Sequence, residues 1–440
     1  MATPLSDKSR GGEYATLHCI RVPNCPMMNA VFSTGPKSRL GKHTVQHVEN
    51  THPMNPRFRA GRYRSQTTGY RAFTPQPLPP NPPILLEGDF QRLLSQADRA
   101  LGRLDGSIQT LPNPSLFVWM YVRKEAVLSS QIEGTQSSLQ DVLAAEADIF
   151  TPNQPADVNE VINYTRAMQH GLERLERLPV CIRLIREIHA ILMAGVRGSK
   201  LTPGELRRSQ NWIGPPGCGL GEAVFVPPPA DEVAPALGAL ERFLNDPGDL
   251  PALVQIGLAH AQFETIHPFL DGNGRVGRLL ITFLLCQQDI LQHPVLYLSH
   301  YFKQHREAYY QRLQAVRDQG DWEGWLGFFV DGVLGVSREA TETARKILAL
   351  REEHRGLVTQ KLGRAAGNGH RILEHLYQRP IVTVEAIRQL LDITYAGANN
   401  LVTRFANLGL LREITGQQRN RVFRYSPYLD LFSDGPGSAA

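Results

Sequence analysis

The segment His267-Pro-Phe-Leu-Asp271-Gly272-Asn273-Gly274-Arg275-Val-Gly-Arg278, running straight into the apolar stretch from Val276 to Cys286, constrains this chain more than any other. The apolar stretch reads as a buried helix, one that the rest of the chain must enclose. Gly272-Asn273-Gly274 at its start frees the backbone to take positive φ, so that successive N–H groups point into one concavity at the positive end of the helix dipole. The neighbouring side chains suit that concavity to phosphate. Arg275 and Arg278 are three apart and are expected to open onto neighbouring faces of the first turn, each forking two hydrogen bonds onto phosphate. Asp271 is a hard oxygen donor suited to Mg²⁺ shared with a di- or triphosphate. His267, ahead of Pro268, is expected in extended backbone, and its unperturbed pKa of about 6.5 makes it the natural general base. Together these residues describe transfer of a phosphorus group to a hydroxyl. Gly367-Asn-Gly369 has no base, carboxylate or arginine arranged around it in the same way and reads as a linker turn.

Around this loop the pattern from Leu85 to about Glu353 is helix after helix: Leu93, Leu94, Ala97 and Leu101; Ile182, Ile185, Ile188, His189 and Leu192; Leu237, Leu240 and Phe243; Trp322, Trp325, Phe328 and Phe329. The fold expected is mainly α, a helical bundle with one small β flap. Another helix is expected near 115–134, where Leu116, Phe117, Met120, Tyr121, Val127 and Leu128 recur at near-helical spacing, with Ser115 as cap and Gly134 as stop. Glu133 then sits on its last turn, where a negative charge opposes the dipole and calls for a partner. The flap is Glu222-Ala223-Val224-Phe225-Val226-Pro227, too short for a helix and closed by prolines, so it reads as an edge strand or hairpin. Two roles stay open for it: pairing with an extended segment of another protein, or covering the core.

The loop resembles, at every defining position, the Fic (Fido) family signature HPFx(D/E)GNGRxxR. Upstream, His260-Ala-Gln-Phe-Glu-Thr-Ile, Gly204-Glu-Leu-Arg-Arg-Ser-Gln-Asn-Trp-Ile-Gly214 and Phe225-Val-Pro-Pro-Pro229 extend the similarity, which covers roughly Arg59 to Val336. The resemblance implies a Fic-type bundle that transfers AMP from ATP to a Ser, Thr or Tyr hydroxyl of a protein. His267 is then the catalytic base. Asp271, with Mg²⁺, and Gly272, Asn273, Gly274, Arg275, Gly277 and Arg278 hold the nucleotide, and Ala223 to Val226 dock the target. Tyr301-Phe-Lys-Gln-His305-Arg-Glu-Ala-Tyr309-Tyr310 resembles the segment that walls the adenine pocket, which adds His305 to the nucleotide site. Ser129-Ser-Gln-Ile-Glu133-Gly134 fits the family's inhibitory pattern (S/T)xxxE(G/N), placed as in the subclass restrained by an N-terminal helix. Glu133 would pair with Arg278 and repel the triphosphate.

Residues 1–53 are rich in Gly, Pro, Ser, Thr and Asn without periodicity, and are expected to be a disordered or non-native extension, with Met54 a candidate start. Residues 54–356 form the expected catalytic body. The run Phe73 to Pro83 is expected to be polyproline II. From Leu357 onward three short helices, the second capped by Thr383 and the third ending at Gly409, precede an alternating hairpin from Glu413 to Tyr425, the pattern of a winged helix-turn-helix over 357–440. Arg419, Arg421 and Arg424 stand on its wing, but its third helix carries only Arg404 among basic residues. That leaves DNA binding open beside protein docking or pairing with a second copy of the chain.

Net charge argues against a nucleic-acid-binding body. The chain is +5 overall, yet residues 1–71 hold 11 Lys and Arg against 3 Asp and Glu, so the remainder is net acidic by 3. Five cysteines without CxxC spacing, no apolar run near the ~18 residues of a membrane span and no signal core point to a reducing cytoplasm and no membrane association. The leading expectation is a protein adenylyltransferase restrained by Glu133, modifying a target protein and itself. The alternatives are a related transferase using another nucleotide donor, and a winged-helix regulator with the Fic region in a secondary role.

Overall fold

The computed structural model describes residues 56–67, 69–111, 114–147, 155–215, 217–417 and 419–432, without the side chains of 56 and 115–117. The expectations for residues 1–53 and for the Ser115 cap lie outside it. The described chain opens on an antiparallel hairpin of β1 (Gly61–Ser65) and β2 (Arg71–Pro75), with Tyr63 opposite Phe73. The sequence pattern had not suggested this hairpin. The proline run after it bends at 78–79 and again at 81–82 instead of continuing as polyproline II.

The helices then follow in order: α1 (Asp89–Gln109), α2 (Pro114–Ile132), α3 (Leu139–Glu146), α4 (Val158–Leu175), α5 (Ile182–Leu192), α6 (Ala230–Asn245), α7 (Ala252–Ile266), α8 (Asn273–Gln287), α9 (Ser299–Gln304), α10 (Arg306–Gln319) and α11 (Trp322–Leu362). On α1 the buried residues Leu94, Ala97, Leu101, Leu104 and Ile108 make the stripe that helical periodicity demands, and this helix lies along α11. The centre is different. Every residue of α7 from Leu253 to Ile266 is buried, and α8 is buried from Arg275 to Leu285. These two helices pack on each other, with α2, α4 and α5 against α8, and α6, α10, α11 and β2 around α7. Glycine makes two of these approaches possible: a Cβ at Gly171 of α4 would overlap the Phe283 ring of α8, and one at Gly257 of α7 would press on Leu326 of α11. The loop 267–272 between α7 and α8 is therefore carried by the most enclosed elements of the molecule.

The expected boundary at 356/357 falls inside α11, which runs on to Leu362 because its sequence from Ser337 offers helix formers without a proline until Gly363 ends it. Beyond it stand α12 (Ala366–Gln378), β3 (Ile381–Thr383), α13 (Val384–Leu391), α14 (Tyr395–Asn407), β4 (Arg412–Glu413), β5 (Val422–Arg424) and α15 (Ser426–Leu429), with the sheet ordered β3-β5-β4 and antiparallel. Thr383 caps α13 by accepting from Ala386 N at 3.1 Å, and Gly409 takes φ 74. This is a winged helix, so the described chain is mainly α with small sheets. Gly367 and Gly369 are not a linker turn. They lie in the first turn of α12, where Gly369 seats against Val358 and Leu362 with no room for a Cβ. The winged helix rests on the helical body: α12 packs on α2, and Phe432 meets Tyr121 edge-on at 5.5 Å. Among the described residues no helix is long and apolar enough to cross a membrane.

Candidate active site

His267 ends α7 in the left-handed region, φ 49 and ψ 61, with its N–H donating to Phe263 O at 2.9 Å. The extended backbone expected before Pro268 is overridden by this helix stop and by the groups that grip it. The His267 carbonyl accepts from Arg207 Nε at 2.9 Å and from Asn211 Nδ2 at 3.4 Å. The imidazole Nδ1 is buried and has no hydrogen-bond partner. Burial first, then the charges of Arg317 and Arg207, bring its pKa down to about 3, against the opposing pull of Glu133 and a hydrogen bond at the Glu264 backbone. The ring is neutral at physiological pH and able to take a proton.

The rest of the loop is locked by its own amides. Phe269 N donates to Asn273 Oδ1 and Asn273 Nδ2 donates to Phe269 O, both at 2.8 Å. The Asn273 side chain is thereby committed to closing the loop, and anion binding is left to the first-turn N–H groups of α8, which have no acceptor within the helix. Gly272 takes φ 77, with its N–H 2.6 Å from Asp271 Oδ1. His189 braces the turn from α5: Gly204 N donates to its Nδ1 at 2.8 Å, so its Nε2–H donates to Asp271 O at 3.0 Å, while its ring stacks on Phe269 at 3.7 Å. Gly277 faces inward, where a Cβ would overlap Glu264 Oε1, and its carbonyl accepts from His260 Nδ1 at 2.9 Å.

The two arginines separate. Arg275, 1% exposed, does not open outward; its Nη1 lies 2.9 Å from Glu160 Oε2 of α4 and its Nη2 3.5 Å from Met193 Sδ. Arg278 is held by α2. Its Nε donates to Ser129 Oγ at 2.8 Å, and its Nη2 to Ser129 O at 3.0 Å and Glu133 Oε1 at 2.7 Å. Burial opposes ionisation of Glu133, but the pairing with Arg278, with Arg275 and His267 behind it, holds its carboxyl below the ordinary range. A Cβ at Gly274 would overlap that carboxylate, so Glu133 sits over the start of α8, where an anion would bind. Gly134, φ 98, follows directly, and Glu133 stands just past the last turn of α2 rather than on it. Glu264 is pushed up to about 7 by burial first, partly offset by Arg278, and its Oε1 has no hydrogen-bond partner.

The flap is a single bridge between Ile213 and Phe225, with Val226 O accepting from Phe73 N at 2.9 Å, not a developed strand. Prolines 227–229 end it before it can lengthen. Phe225 and Val226 are buried, Ala223 is half-buried and only Val224, 63% exposed, presents a side chain outward. His305 lies exposed between α9 and α10, its ring 4.4 Å from Tyr301. Tyr309 is core, its hydroxyl donating to His260 Nε2 at 2.9 Å. Among the described residues no three His, Cys, Asp or Glu side chains gather to hold a metal, and Cys181, Cys218 and Cys286 are free. Sequence reading placed His189 only in the core and gave Glu160, Arg207 and Arg317 no role. Glu160 lies 115 residues from its partner Arg275, and no local pattern announces such a pair.

A profile of the Fic/DOC family N-terminal region matches residues 91–173 and one of the Fic/DOC family matches 179–285, which takes in the loop, His189, Arg207 and Arg278. These residues carry a Fic N-terminal region and a Fic domain. A third profile, described as an HTH DNA binding domain, matches residues 370–423. Curated Fic relatives include the protein adenylyltransferase Fic of Drosophila erecta and that of Drosophila yakuba. Each is 30% identical over 176 residues, covering 39% of this chain and 32% of the relative, so the match spans about a third of those proteins. A crystal structure of a Fic family protein from Desulfovibrio desulfuricans G20 covers 80% of this chain and 98% of its own at a TM-score of 0.53 and 22% identity, a likeness of fold.

Proposed function

We propose that this Fic chain is a protein adenylyltransferase that moves AMP from ATP to a Ser, Thr or Tyr hydroxyl, on a target protein or on itself, and that Glu133 restrains it. The observation that carries this reading is the triple grip of Ser129 and Glu133 on Arg278, at the mouth of an anion cradle whose other side holds a neutral histidine. The relatives named protein adenylyltransferase supply the nucleotide. In the transfer the target oxygen attacks the α-phosphorus, His267 takes its proton, the new O–P bond forms and pyrophosphate leaves with the electrons of the broken bond. The first-turn amides of α8 would hold the α-phosphate. Arg278, once free of Glu133, would neutralise the outer phosphates, and Arg275, fixed by Glu160, would add its field from behind. Asp271 is a single half-exposed carboxylate at the cradle, which fits Mg²⁺ bound mostly by phosphates and water, and the ion would offset charge on the leaving pyrophosphate.

The winged helix is assigned to docking rather than base readout, because Arg421 and Arg424 are engaged by Asn399 and Asp430, and Arg404 by Lys361 O. Incubating the chain with ATP, GTP or CTP labelled on the α-phosphate tests the main reading, with Glu133→Gly to release it and His267→Ala as control. Label from ATP that appears in Glu133→Gly and vanishes with His267→Ala, while ATP still binds, is the expected result. Label drawn from another nucleotide, or persisting without His267, contradicts it.

A further inference from the structure

Arg207 is 2% exposed, and none of its hydrogen bonds goes to a carboxylate. Its Nε donates to His267 O at 2.9 Å, Nη2 to Pro228 O at 2.5 Å and Ile266 O at 3.4 Å, Nη1 to Ser209 O at 3.2 Å, and its own N–H to Pro268 O at 2.9 Å. Among the described residues it forms no ion pair, and a buried guanidinium without one is costly to keep. Part of the compensation is visible. Ile266 O and His267 O close the C-terminus of α7, the end of a helix that favours a cation. Arg317 of α10 sits nearby at the same end, donating to Glu264 O and Thr265 Oγ1 at 3.2 Å each, with its guanidinium 3.8 Å from the Phe225 ring centroid. Both arginines therefore touch the base's helix on one side and the flap, through Pro228 and Phe225, on the other.

We propose that Arg207 is a positioning residue for the transfer, gripping the carbonyls on both sides of the His267 α-carbon to hold its left-handed pose and tying that pose to the flap on which the target docks. Arg207 touches neither nucleotide nor hydroxyl in this account; it acts through His267. The charges facing the imidazole are Arg317 of α10, Arg207, and Glu133 just past the end of α2, and the Glu264 backbone adds a hydrogen bond. Burial is the first cause of the ring's neutrality, and the two guanidiniums, outweighing Glu133 there, add to it. An imidazole held in place and unprotonated is what a general base needs.

The kinetic arm of the test rests on the adenylyl-transfer reading; the titration arm does not. Full-length protein, with Glu133 intact and as Glu133→Gly, is compared with the same chains carrying Arg207→Lys or Arg207→Met. Nuclear magnetic resonance follows the His267 ring, assigned by its disappearance in His267→Ala. Lysine keeps the charge but loses the fork. Arg207→Lys is expected to leave the His267 titration low and lower kcat by about a hundredfold, as misplacement of a reacting group does. The KM for ATP should hardly change, because the triphosphate is held elsewhere. Arg207→Met is expected to raise the His267 pKa above the parent's as well, while burial and Arg317 still hold it below the ordinary histidine value. Parental kcat in Arg207→Lys overturns the proposal, as does an equal loss of kcat and ATP affinity with an unmoved titration. If no parent chain transfers label, the adenylyl reading has failed, and an unmoved His267 titration in Arg207→Met would still sink the grip. If the methionine variant does not fold, the kinetics of the lysine variant decide.

Discussion

Arg275 and Arg278, one turn apart on α8, face carboxylates of different standing. Glu160, whose side chain is 6% exposed, is sealed against Arg275, whereas the side chain of Glu133 is 33% exposed and reaches Arg278 from just past the end of α2. The first pair is sealed from water and the second borders it. Glu160→Ala should therefore cost about 3–5 kcal/mol in urea unfolding by stranding a buried guanidinium, and a loss under 1 kcal/mol would show that water reaches Arg275. The histidines set a pH dependence. His189 is lowered to about 4 and His260 and His267 to about 3, burial being the first cause in each. All three are neutral when folded, so the unfolded chain binds protons first as pH falls below about 6.5. Their contribution to stability is full above that value and declines toward their folded pKa values. The urea midpoint should fall between pH 7 and pH 5, and kcat/KM should show no inflection near 6.5 from the base; such an inflection, abolished in His267→Ala, would contradict the neutral ring.

Among elements, α8 was the most readable, because an uninterrupted apolar stretch after a glycine turn has few other physical outcomes. The loop was legible for the same reason: its chemistry is packed within one segment. What escaped were contacts that only tertiary packing creates. Arg207 reaches back from 60 residues away to fix His267, and Asn273, expected on the phosphate, turns inward to Phe269 because its amide matches both the donor and the acceptor there. Gly367-Asn-Gly369 shows the opposite error: a turn-prone tripeptide is held helical by α12 lying over the end of α11, with glycine permitting the contact. Close approach between elements yields its own prediction. Gly171→Ala should drive a methyl into Phe283 and destabilise the protein by about 1–3 kcal/mol, read as a drop in denaturation midpoint; an unchanged midpoint would mean that α4 and α8 can separate freely.

Across the whole molecule, α11 ties the helical body to the winged helix, and α2, to which the proposal assigns the restraint, packs against both. One face of α2 presents Ser129 to Arg278, while Tyr121 meets Phe432 and donates to Ala340 O at 3.0 Å. Ending the chain at 357 cuts α11 and uncovers Tyr121, so the thermal midpoint should fall; an unaltered midpoint would show the winged helix to be a passive passenger. The central claim is that Glu133 restrains transfer by occupying Arg278. Its most direct measurement is the initial rate of label incorporation from α-labelled ATP by the full chain in four forms: parent, Glu133→Gly, Arg278→Ala and the double variant. Glu133→Gly should be faster by orders of magnitude, each ~1.4 kcal/mol of recovered triphosphate binding being worth a factor of ten. The double variant should lose most of that gain. Full activation persisting without Arg278 would contradict the account.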